Sequence, residues 1–339
     1  MTPFAHRLAA WQARHGRNHL PWQGNDPYRV WLSEIMLQQT QVATVLQYYP
    51  RFLARFPDVE SLAAAADDDV LALWSGLGYY SRARNLHHAA RQIMGEHGGQ
   101  FPRDRAGLET LKGVGRSTAA AIAVFAFGQK EAILDGNVKR LLARHAGIYG
   151  APDQPATLAA LWAEAEARLP DDAATLRRYT QGLMDLGNGI CTRTRPRCGE
   201  CPVAADCYAY RHDATAALPE KRAKKPNPER HTVMLLARCG DRLHLYRRPD
   251  RGIWRGLWSL PEYDSIAAAE SAAQTLGAIT TRATLPAITH KFTHYTLHIA
   301  PFAVTIAAPA RAADWLPQQE ALAKGLPAPV RRLIDDHFC

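Results

Sequence analysis

The amino-acid sequence predicts a mainly α-helical N-terminal domain followed by a smaller α+β domain. Apolar residues recur at helical spacing from residue 4 to about residue 210, and no strand-like alternation interrupts them. Residues 212–230 then contain few apolar residues, three prolines and a basic run, which is typical of a linker. Beyond them, HTVMLLAR and HYTLHIAPFAVTI are typical of strands and SIAAAESAAQTLG of a helix. We therefore place a helical domain at 1–211, a linker at 212–230 and a second domain at 231–339.

The composition narrows the range of partners. The 339 residues carry a net charge of +9, and the pI of about 9.4 favours a polyanion, with nucleic acid before an acidic membrane surface. No apolar stretch approaches the roughly 18 residues of a membrane span. The N-terminus also lacks the apolar core of a secretion signal. We expect a cytoplasmic, nucleoid-associated protein with no membrane partner.

The first long helical segment reads DPYRVWLSEIMLQQTQV and begins with Asp26 as N-cap. Glu34, Gln38 and Gln41 follow at i, i+4 and i+7, so a continuous helix places them on one face. An acid beside neutral amides on an otherwise apolar helix predicts a site with a raised pKa. The alternative interpretation is an exposed polar stripe.

A glycine-rich turn follows in LETLKGVGRSTAAAIAVFAFG. Gly113 and Gly115 precede a helix, so the backbone N–H groups and the positive end of that helix are available to an anion. A Walker A loop is excluded because no lysine follows Gly115. A dinucleotide fingerprint is disfavoured because LETLK is helical rather than strand-like. A nucleic-acid phosphate and a purely structural turn remain as alternatives.

A second carboxylate lies in ILDGNVKRLLARH. Asp135 directly precedes a helix, so its default role is that of an N-cap. The sequence alone assigns it no chemistry.

Four cysteines are spaced C-x6-C-x2-C-x5-C between residues 191 and 207. In a reducing compartment, such clustering indicates a metal site rather than disulfides. Zinc and an iron–sulfur cluster remain equally compatible with the spacing. Arg193, Arg195 and Arg197 lie between the ligands and form a candidate phosphate clamp or a solvated charged loop.

The L-x-G-V-G turn followed by this cysteine spacing resembles the endonuclease III-type DNA glycosylase superfamily over some two hundred residues. The resemblance implies a helix–hairpin–helix at about 104–127 that binds a DNA phosphate through Gly113, Val114 and Gly115. It also implies one 4Fe–4S cluster, whose ligands are Cys191, Cys198, Cys201 and Cys207.

Ser117 distinguishes two classes within this superfamily. Its lyase members carry a lysine at this position, whose amine attacks the sugar and forms a Schiff base. A serine hydroxyl cannot form a Schiff base, so the resemblance implies a monofunctional glycosylase in which Ser117 supports the site. Lys139 is a nearby amine, but no catalytic role is assigned to it.

Two further stretches resemble the MutY family of adenine DNA glycosylases: WLSEIMLQQTQV and LDGNVKR. The first matches Glu34 to the catalytic acid, and Gln39 and Thr40 to residues that contact 8-oxoguanine and its surroundings. The second matches Asp135 to a carboxylate beside the sugar and Asn137 to a residue that supports it. A carboxylate in that place stabilises the positive charge that develops as a base leaves.

The loop GLGYYSRARN matches Tyr79 to an aromatic side chain that intercalates next to 8-oxoguanine, with Leu77 in the same loop. The alternative is a tyrosine pair in the core. The later stretch GLWSLPE resembles the start of a Nudix box but lacks its acidic continuation, with Glu270 alone near the expected place. Without an acidic cluster, magnesium binding has no basis.

This pattern resembles the MutT-like C-terminal domain of the same family, which recognises 8-oxoguanine without hydrolysing nucleotides. The family's F-S-H loop corresponds to Phe292, Thr293 and His294, in which threonine adds a methyl group to the serine hydroxyl.

The expected function is hydrolytic removal of adenine mispaired with 8-oxoguanine or guanine in double-stranded DNA, performed by a monomer after base flipping. Three alternatives remain open: a bifunctional endonuclease III-like lyase, a non-catalytic iron–sulfur DNA-binding protein and a nucleotide-pool hydrolase. Ser117 and the extra domain disfavour the first, and the degraded box disfavours the last.

Overall fold

The computed structural model describes residues 3–222, 226–311 and 315–338, which form two compact units. The first unit contains the described residues before 64 and from 88 to 222. The second contains residues 64–87 together with the described residues from 226 onward. The segment 64–87, which precedes the predicted linker in sequence, therefore packs with the second unit. Of that linker, residues 223–225 lie outside the described residues.

Up to residue 222, the described chain is helical and contains no strand. The helices are α1 Phe4–His15, α2 Pro27–Leu37, α3 Val42–Arg55, α4 Val59–Ala63, α5 Asp67–Leu73, α6 Ser81–His97, α7 Arg105–Glu109, α8 Arg116–Phe127, α9 Gly136–Ala146, α10 Pro155–Ala167, α11 Ala173–Gly189 and α12 Tyr208–Arg211, with 3-10 turns at Cys198–Glu200 and Ala204–Asp206. The pair α7 and α8 confirms the predicted helix–hairpin–helix. None of the described helices is long and apolar enough to cross a membrane.

Aspartate caps begin several of these helices, because a side-chain oxygen accepts a backbone N–H that has no partner inside the helix. Asp26 accepts from Arg29, Asp104 from Gly107, Asp135 from Asn137 and Val138, and Asp172 from Thr175. The predicted caps at Asp26 and Asp135 are thereby confirmed. Behind them, buried apolar side chains of α1, α8, α9, α10 and α11 form one core.

The predicted common face of Glu34, Gln38 and Gln41 is wrong. Helix α2 ends at Leu37, Gln38 is its C-cap, and Gln41 is the N-cap of α3. Gln39 lies between them with φ of +56°, a left-handed conformation that residues other than glycine rarely adopt. The helical spacing of apolar residues continues on both sides of the break, and no glycine or proline marks it, so the sequence pattern did not reveal it.

The second unit contains a seven-stranded sheet in which β1 and β8 are central and parallel to each other. Its strands and helices are β1 Glu229–Cys239, β2 Arg242–His244, β3 Tyr246–Arg247, β4 Trp258–Ser259, β5 Glu262–Tyr263, α13 Ile266–Leu276, β6 Gly277–Thr284, β7 Ile288–Lys291, β8 Thr296–Pro309, β9 Trp315–Pro317, α14 Gln318–Ala323 and α15 Ala328–Phe338. The strand order is β6-β8-β1-β2-β9, with β5 on β1, β7 on β8 and β3 paired with β4 separately. This arrangement confirms the smaller α+β domain.

One face of this sheet is covered by α13. Alternate residues of β1, such as Val233 and Leu235, and of β8, such as Phe302 and Val304, pack against Ala269 and its neighbours. Side chains alternate between the two faces of a strand. The odd-numbered residues of β1 before Val233 and the even-numbered residues of β8 before Phe302 therefore lie on this same face.

Candidate functional site

Glu34 lies on α2 with its side chain at the wall of a cavity of about 200 Å³ in the first unit. The lining also includes Arg17, Trp22, Gln23, Phe125, Arg177, Arg178, Gln181 and Met184. Apolar rings and a few polar groups in a concave space are typical of a small-molecule or base-sized site. The helical spacing of α2 brings Glu34 to this wall, since Trp31, Leu32 and Ile35 are buried around it.

Burial raises the pKa of the Glu34 carboxyl to about 8, and the negative charge of Asp135 contributes further to the increase. The carboxyl is therefore protonated at neutral pH and is able to donate a proton. The sequence predicted a raised pKa from the apolar helix, and the structure confirms it. This electrostatic effect shows that Glu34 and Asp135, the two carboxylates selected from the sequence, lie near each other in the fold.

Asp135 is held rigidly at the start of α9. One carboxylate oxygen accepts from the backbone N–H groups of Asn137 at 2.9 Å and Val138 at 2.8 Å. The preceding residue, Leu134, donates its N–H to the Ser117 hydroxyl oxygen at 2.9 Å. Ser117, in the first turn of α8, thus fixes the segment that carries Asp135.

An arginine connects Asn137 to the cysteine loop. Arg140 donates from its guanidinium to the side-chain oxygen of Asn137 at 3.0 Å and to the carbonyl of Cys191 at 2.8 Å. It also donates to the carbonyl of Gly187 on α11. Sequence reasoning missed Arg140, because two of its three acceptors, the carbonyls of Gly187 and Cys191, lie about fifty residues away in the sequence.

The hairpin turn between α7 and α8 has the backbone geometry that its glycines allow. Gly113 has φ of +82°, and Gly115 is the N-cap of α8, with open space where a Cβ would lie. Val114 is buried, so its side chain anchors the turn while the neighbouring glycines stay exposed. Close approach of a phosphate oxygen to this backbone is sterically possible.

The four clustered cysteines line one small cavity of the first unit together with Leu141, Leu186 and Val203. Burial raises the pKa of the Cys201 thiol to about 12, and it also raises the pKa values of Cys198 and Cys207. Thiolates in this place therefore need the positive charge of a bound metal. Arg144 donates to the Cys191 sulfur at 3.5 Å and to the carbonyl of Thr192 at 2.7 Å, which holds the loop in place.

In the second unit, Tyr79 is 47% exposed and has φ of +48°. The guanidinium of Arg82 lies 5.6 Å from the centroid of the Tyr79 ring and donates to the carbonyl of Gly78. Leu77 in the same loop is 6% exposed, so contact of its side chain with DNA requires the loop to open. Gly76 and Gly78 also have positive φ, which allows the sharp turn that presents Tyr79.

The predicted recognition loop is a tight turn in which the Phe292 N–H donates to the Tyr295 carbonyl at 2.9 Å. The Phe292 ring packs against Trp254 and His290, with centroids at 5.2 Å and 4.6 Å. Thr293 and His294 are exposed. The loop thus exposes a hydroxyl and an imidazole above a cluster of packed aromatic side chains.

Two carboxylates of the degraded Nudix box, Glu262 at the end of GLWSLPE and Glu270, form ion pairs with arginines. Arg248 contacts Glu262 at 2.5 Å, and Arg282 contacts Glu270. An arginine in each pair satisfies the carboxylate charge, which opposes a magnesium role.

Sequence reasoning also missed two polar residues that line the Glu34 cavity, Arg17 and Gln181, and the carboxylate to which both donate. Asp185 on α11 accepts from Gln181 at 2.9 Å and from the side chain of Arg17 at 2.7 Å. These residues come from α11 and from the loop after α1, and no spacing rule joins such distant segments. The one clue in the sequence was the acid Asp185, which interrupts the apolar pattern of the buried face of α11.

Comparison with protein families identifies three regions of the chain. Residues 32–166 match the HhH-GPD superfamily of base excision DNA repair proteins, and residues 191–207 match the iron–sulfur binding domain of endonuclease III. Residues 232–336 match the NUDIX domain.

Relatives support the same grouping. The chain is 34% identical to the adenine DNA glycosylase of Buchnera aphidicola subsp. Schizaphis graminum, over 98% of each chain. It is 35% identical to the adenine DNA glycosylase of Mus musculus over 77% of this chain and 60% of the mouse protein. Among solved structures, a thermostable thymine-DNA glycosylase superimposes with a TM-score of 0.56 at 29% identity, covering 62% of this chain and 95% of that chain.

The match of residues 191–207 resolves the alternative that the cysteine spacing left open. The chain carries one 4Fe–4S cluster, and the four half-buried thiols that line the cavity fit it.

We expect the purified protein to be brown and to contain about four iron and four sulfide ions per chain. Cys201→Ser removes a half-buried ligand and is expected to lower the iron content well below that of the wild type. Cys239→Ser, which changes a cysteine of the other unit, is the matched control and is expected to retain full iron. Equal iron in both variants, measured by elemental analysis, would contradict the assignment of Cys201.

Proposed function

The chain belongs to the adenine DNA glycosylase family within the HhH-GPD superfamily of base excision DNA repair proteins, and we propose that it excises adenine opposite 8-oxoguanine or guanine without cutting the strand. The observation that carries this proposal is Glu34, an acid protonated at neutral pH on the wall of a base-sized cavity. Glycosylases must move the target nucleotide out of the duplex before they act, and such a cavity receives the flipped base.

The proposed reaction begins with proton transfer from Glu34 to a ring nitrogen of adenine. The glycosidic C–N bond then breaks, its electron pair leaves with the protonated base, and the sugar acquires oxocarbenium character. The carboxylate of Asp135 stabilises this charge. Water adds to the anomeric carbon and loses a proton, which leaves an abasic site in an unbroken strand.

Lesion recognition is proposed for residues exposed in the second unit. Tyr79 presents its ring for stacking on a base step, and Thr293 and His294 provide hydrogen-bonding groups for the oxidised guanine. Gln39 and Thr40 of the first unit are proposed to contact the same base pair. The left-handed conformations of Gln39 and Tyr79 support these roles, since such strain is concentrated at functional sites.

We also propose a monomer that acts on nucleoid DNA in the cytoplasm. Both catalytic carboxylates lie in one chain and interact with each other, so the chemistry requires no second copy. Sedimentation of the protein with a short duplex tests this, and a two-to-two complex at catalytic concentrations would overturn it.

Product analysis tests the proposed function directly. The protein is incubated with a duplex that contains one adenine opposite 8-oxoguanine, and with the matched duplex that contains thymine opposite adenine. The proposal predicts free adenine and an alkali-labile, unbroken strand from the first duplex only. Strand scission without alkali would support a lyase, and no product despite tight binding would support a non-catalytic protein.

Substitutions at position 117 test the proposal that the protein has no lyase activity. Ser117→Lys is expected to increase the adduct trapped by borohydride, since a lysine there supplies an amine close to the segment that carries Asp135. The gain is limited by the need to deprotonate the lysine and by loss of the bond from Leu134. Ser117→Ala loses the same bond without adding an amine, so it is the matched control. Equal trapping by the two variants would show that position 117 does not face the sugar.

A further inference from the structure

A histidine and carboxylate cluster lies in the second unit, apart from the residues assigned to base excision. One ligand atom from each of Glu229, His231 and His298 lies within 4.8 Å of the others. We propose that these three side chains bind one Zn²⁺ ion, with a fourth position open to solvent.

The sheet register brings the three residues together. In the parallel pair of β1 and β8, His231 is directly opposite His298. Glu229 precedes His231 by two residues and therefore points to the same face of the sheet. The two imidazole rings are stacked, with centroids 4.8 Å apart and an angle of 17° between their planes. Backbone hydrogen bonds of the central strands thus place the three residues next to one another before any ion binds.

The orientation of His298 favours a metal ligand. Its Nδ1 is 3.2 Å from the hydroxyl oxygen of Thr289 on β7, which fixes the ring and leaves Nε2 as the available donor. Within the part of the chain that the structure describes, the buried Nε2 has no hydrogen-bond partner. Its nearest acidic atom is Oε2 of Glu229 at 3.7 Å, which is too long for a hydrogen bond.

The 3.7 Å between Nε2 of His298 and Oε2 of Glu229 suits two ligands of one ion. Zinc binds imidazole nitrogen and carboxylate oxygen at roughly 2.0–2.2 Å, so neighbouring ligands of a tetrahedral ion lie about 3.4 Å apart. The site requires the side chains of Glu229 and His231, both exposed, to rotate so that their donor atoms face the same ion as Nε2 of His298. Mixed nitrogen and oxygen donors favour zinc over magnesium or calcium.

The ion would join β1 to β8 at the end of the sheet next to the Phe292–Tyr295 turn, since β8 begins at Thr296. Its expected role is to stabilise the second unit and the base of that turn.

The test uses the full-length protein with its cluster intact. The protein is dialysed against Zn²⁺ alone, the excess is removed, and zinc and iron are measured together. We expect one zinc for every four irons, with no loss of iron. Calorimetric titration with Zn²⁺ then compares variants. His298→Ala and Glu229→Gln are expected to bind at least about 10-fold more weakly, and Thr289→Val about 10-fold more weakly, since second-shell losses cost 10–100-fold in affinity.

His337→Ala is the matched control, because His337 is exposed on α15 in the same unit. It is expected to bind zinc like the wild type. Glu229 is largely exposed, so Glu229→Gln tests the site even where His298→Ala fails to fold. The proposal is overturned by absence of zinc in the wild type, by wild-type affinity in Glu229→Gln, or by zinc uptake that occurs only as iron is lost from the cysteines.

Discussion

Glu34→Gln is expected to lower the single-turnover rate of adenine excision by about 10²–10⁴-fold, the usual contribution of a general acid. Glutamine keeps the shape of the side chain and its hydrogen-bonding capacity but has no proton to transfer to the leaving base. The residue lies on the wall of an existing cavity, so the variant is expected to fold and to bind the mispaired duplex.

The matched control for this variant is Glu60→Gln, which changes an exposed glutamate of α4 in the same unit. It is expected to leave the excision rate unchanged. Duplex binding is measured for both variants by anisotropy, so that a loss of rate is separated from a loss of affinity. Excision by Glu34→Gln at the wild-type rate would remove Glu34 from the mechanism.

The pH dependence follows from the raised pKa of Glu34. In the proposed mechanism Glu34 acts when protonated, so kcat/KM of the wild type is expected to be steady below pH 8 and to fall as the pH rises through about 8. A carboxyl with an ordinary pKa would lose its proton near pH 4.5 and would leave little acid at neutral pH. An alkaline limb near pH 5 would therefore contradict the burial argument.

The same shift predicts an effect on stability. The folded state binds the Glu34 proton more tightly than the unfolded state, so the wild type loses stability as the pH rises from about 4.5 through about 8. Glu34→Gln has no proton to lose and is expected to become the more stable protein at pH 9. Thermal unfolding at pH 5 and pH 9 measures the difference, and a variant that is less stable than the wild type at both values would contradict it.

Local patterns in the sequence predicted much of this architecture because local physics determines it. Asp26 and Asp135 were found as caps, since a capping side chain acts on the backbone two or three residues away. The strand run at 231–238 was found from its continuous apolar side chains. The break at Gln39 was missed because its left-handed conformation is imposed by packing on either side and leaves no composition signal.

The site was predictable to a similar extent. Glu34 stood out as an acid in an apolar helix, whereas its cavity wall includes Gln181 from a helix far along the chain, whose side chain donates to Asp185. The grouping of residues 64–87 with the second unit rests on tertiary hydrogen bonds, such as those from the hydroxyls of Ser75 and Tyr80 to the Leu326 carbonyl. Long-range pairings of this kind are encoded by shape complementarity, which one sequence does not display.

Asp135→Asn is expected to lower excision by about 10²–10³-fold, the loss typical of removing one electrostatic group that stabilises a developing charge. Asparagine caps helices as well as aspartate does, because its side-chain oxygen accepts the same backbone N–H groups. The bonds from Asn137 and Val138 are therefore expected to persist, and the substitution removes the charge while it keeps the cap.

Asp172→Asn is the matched control, because Asp172 caps α11 in the same way and is exposed. It is expected to leave both stability and excision unchanged. Asp135→Asn is expected to melt close to the wild type as well, so its loss of rate does not come from unfolding. A large drop in melting temperature in Asp135→Asn alone would show that its cap matters more than its charge.

The pH profile of the residual activity separates an electrostatic role of Asp135 from a structural one. The negative charge of Asp135 contributes to the raised pKa of Glu34, after the larger effect of burial. Removal of that charge lowers the pKa of Glu34, so the alkaline limb of kcat/KM in Asp135→Asn is expected to move to lower pH than in the wild type. A structural defect reduces the rate at every pH and leaves the limb in place. An unshifted limb together with wild-type excision would show that the two carboxylates do not act on the same substrate.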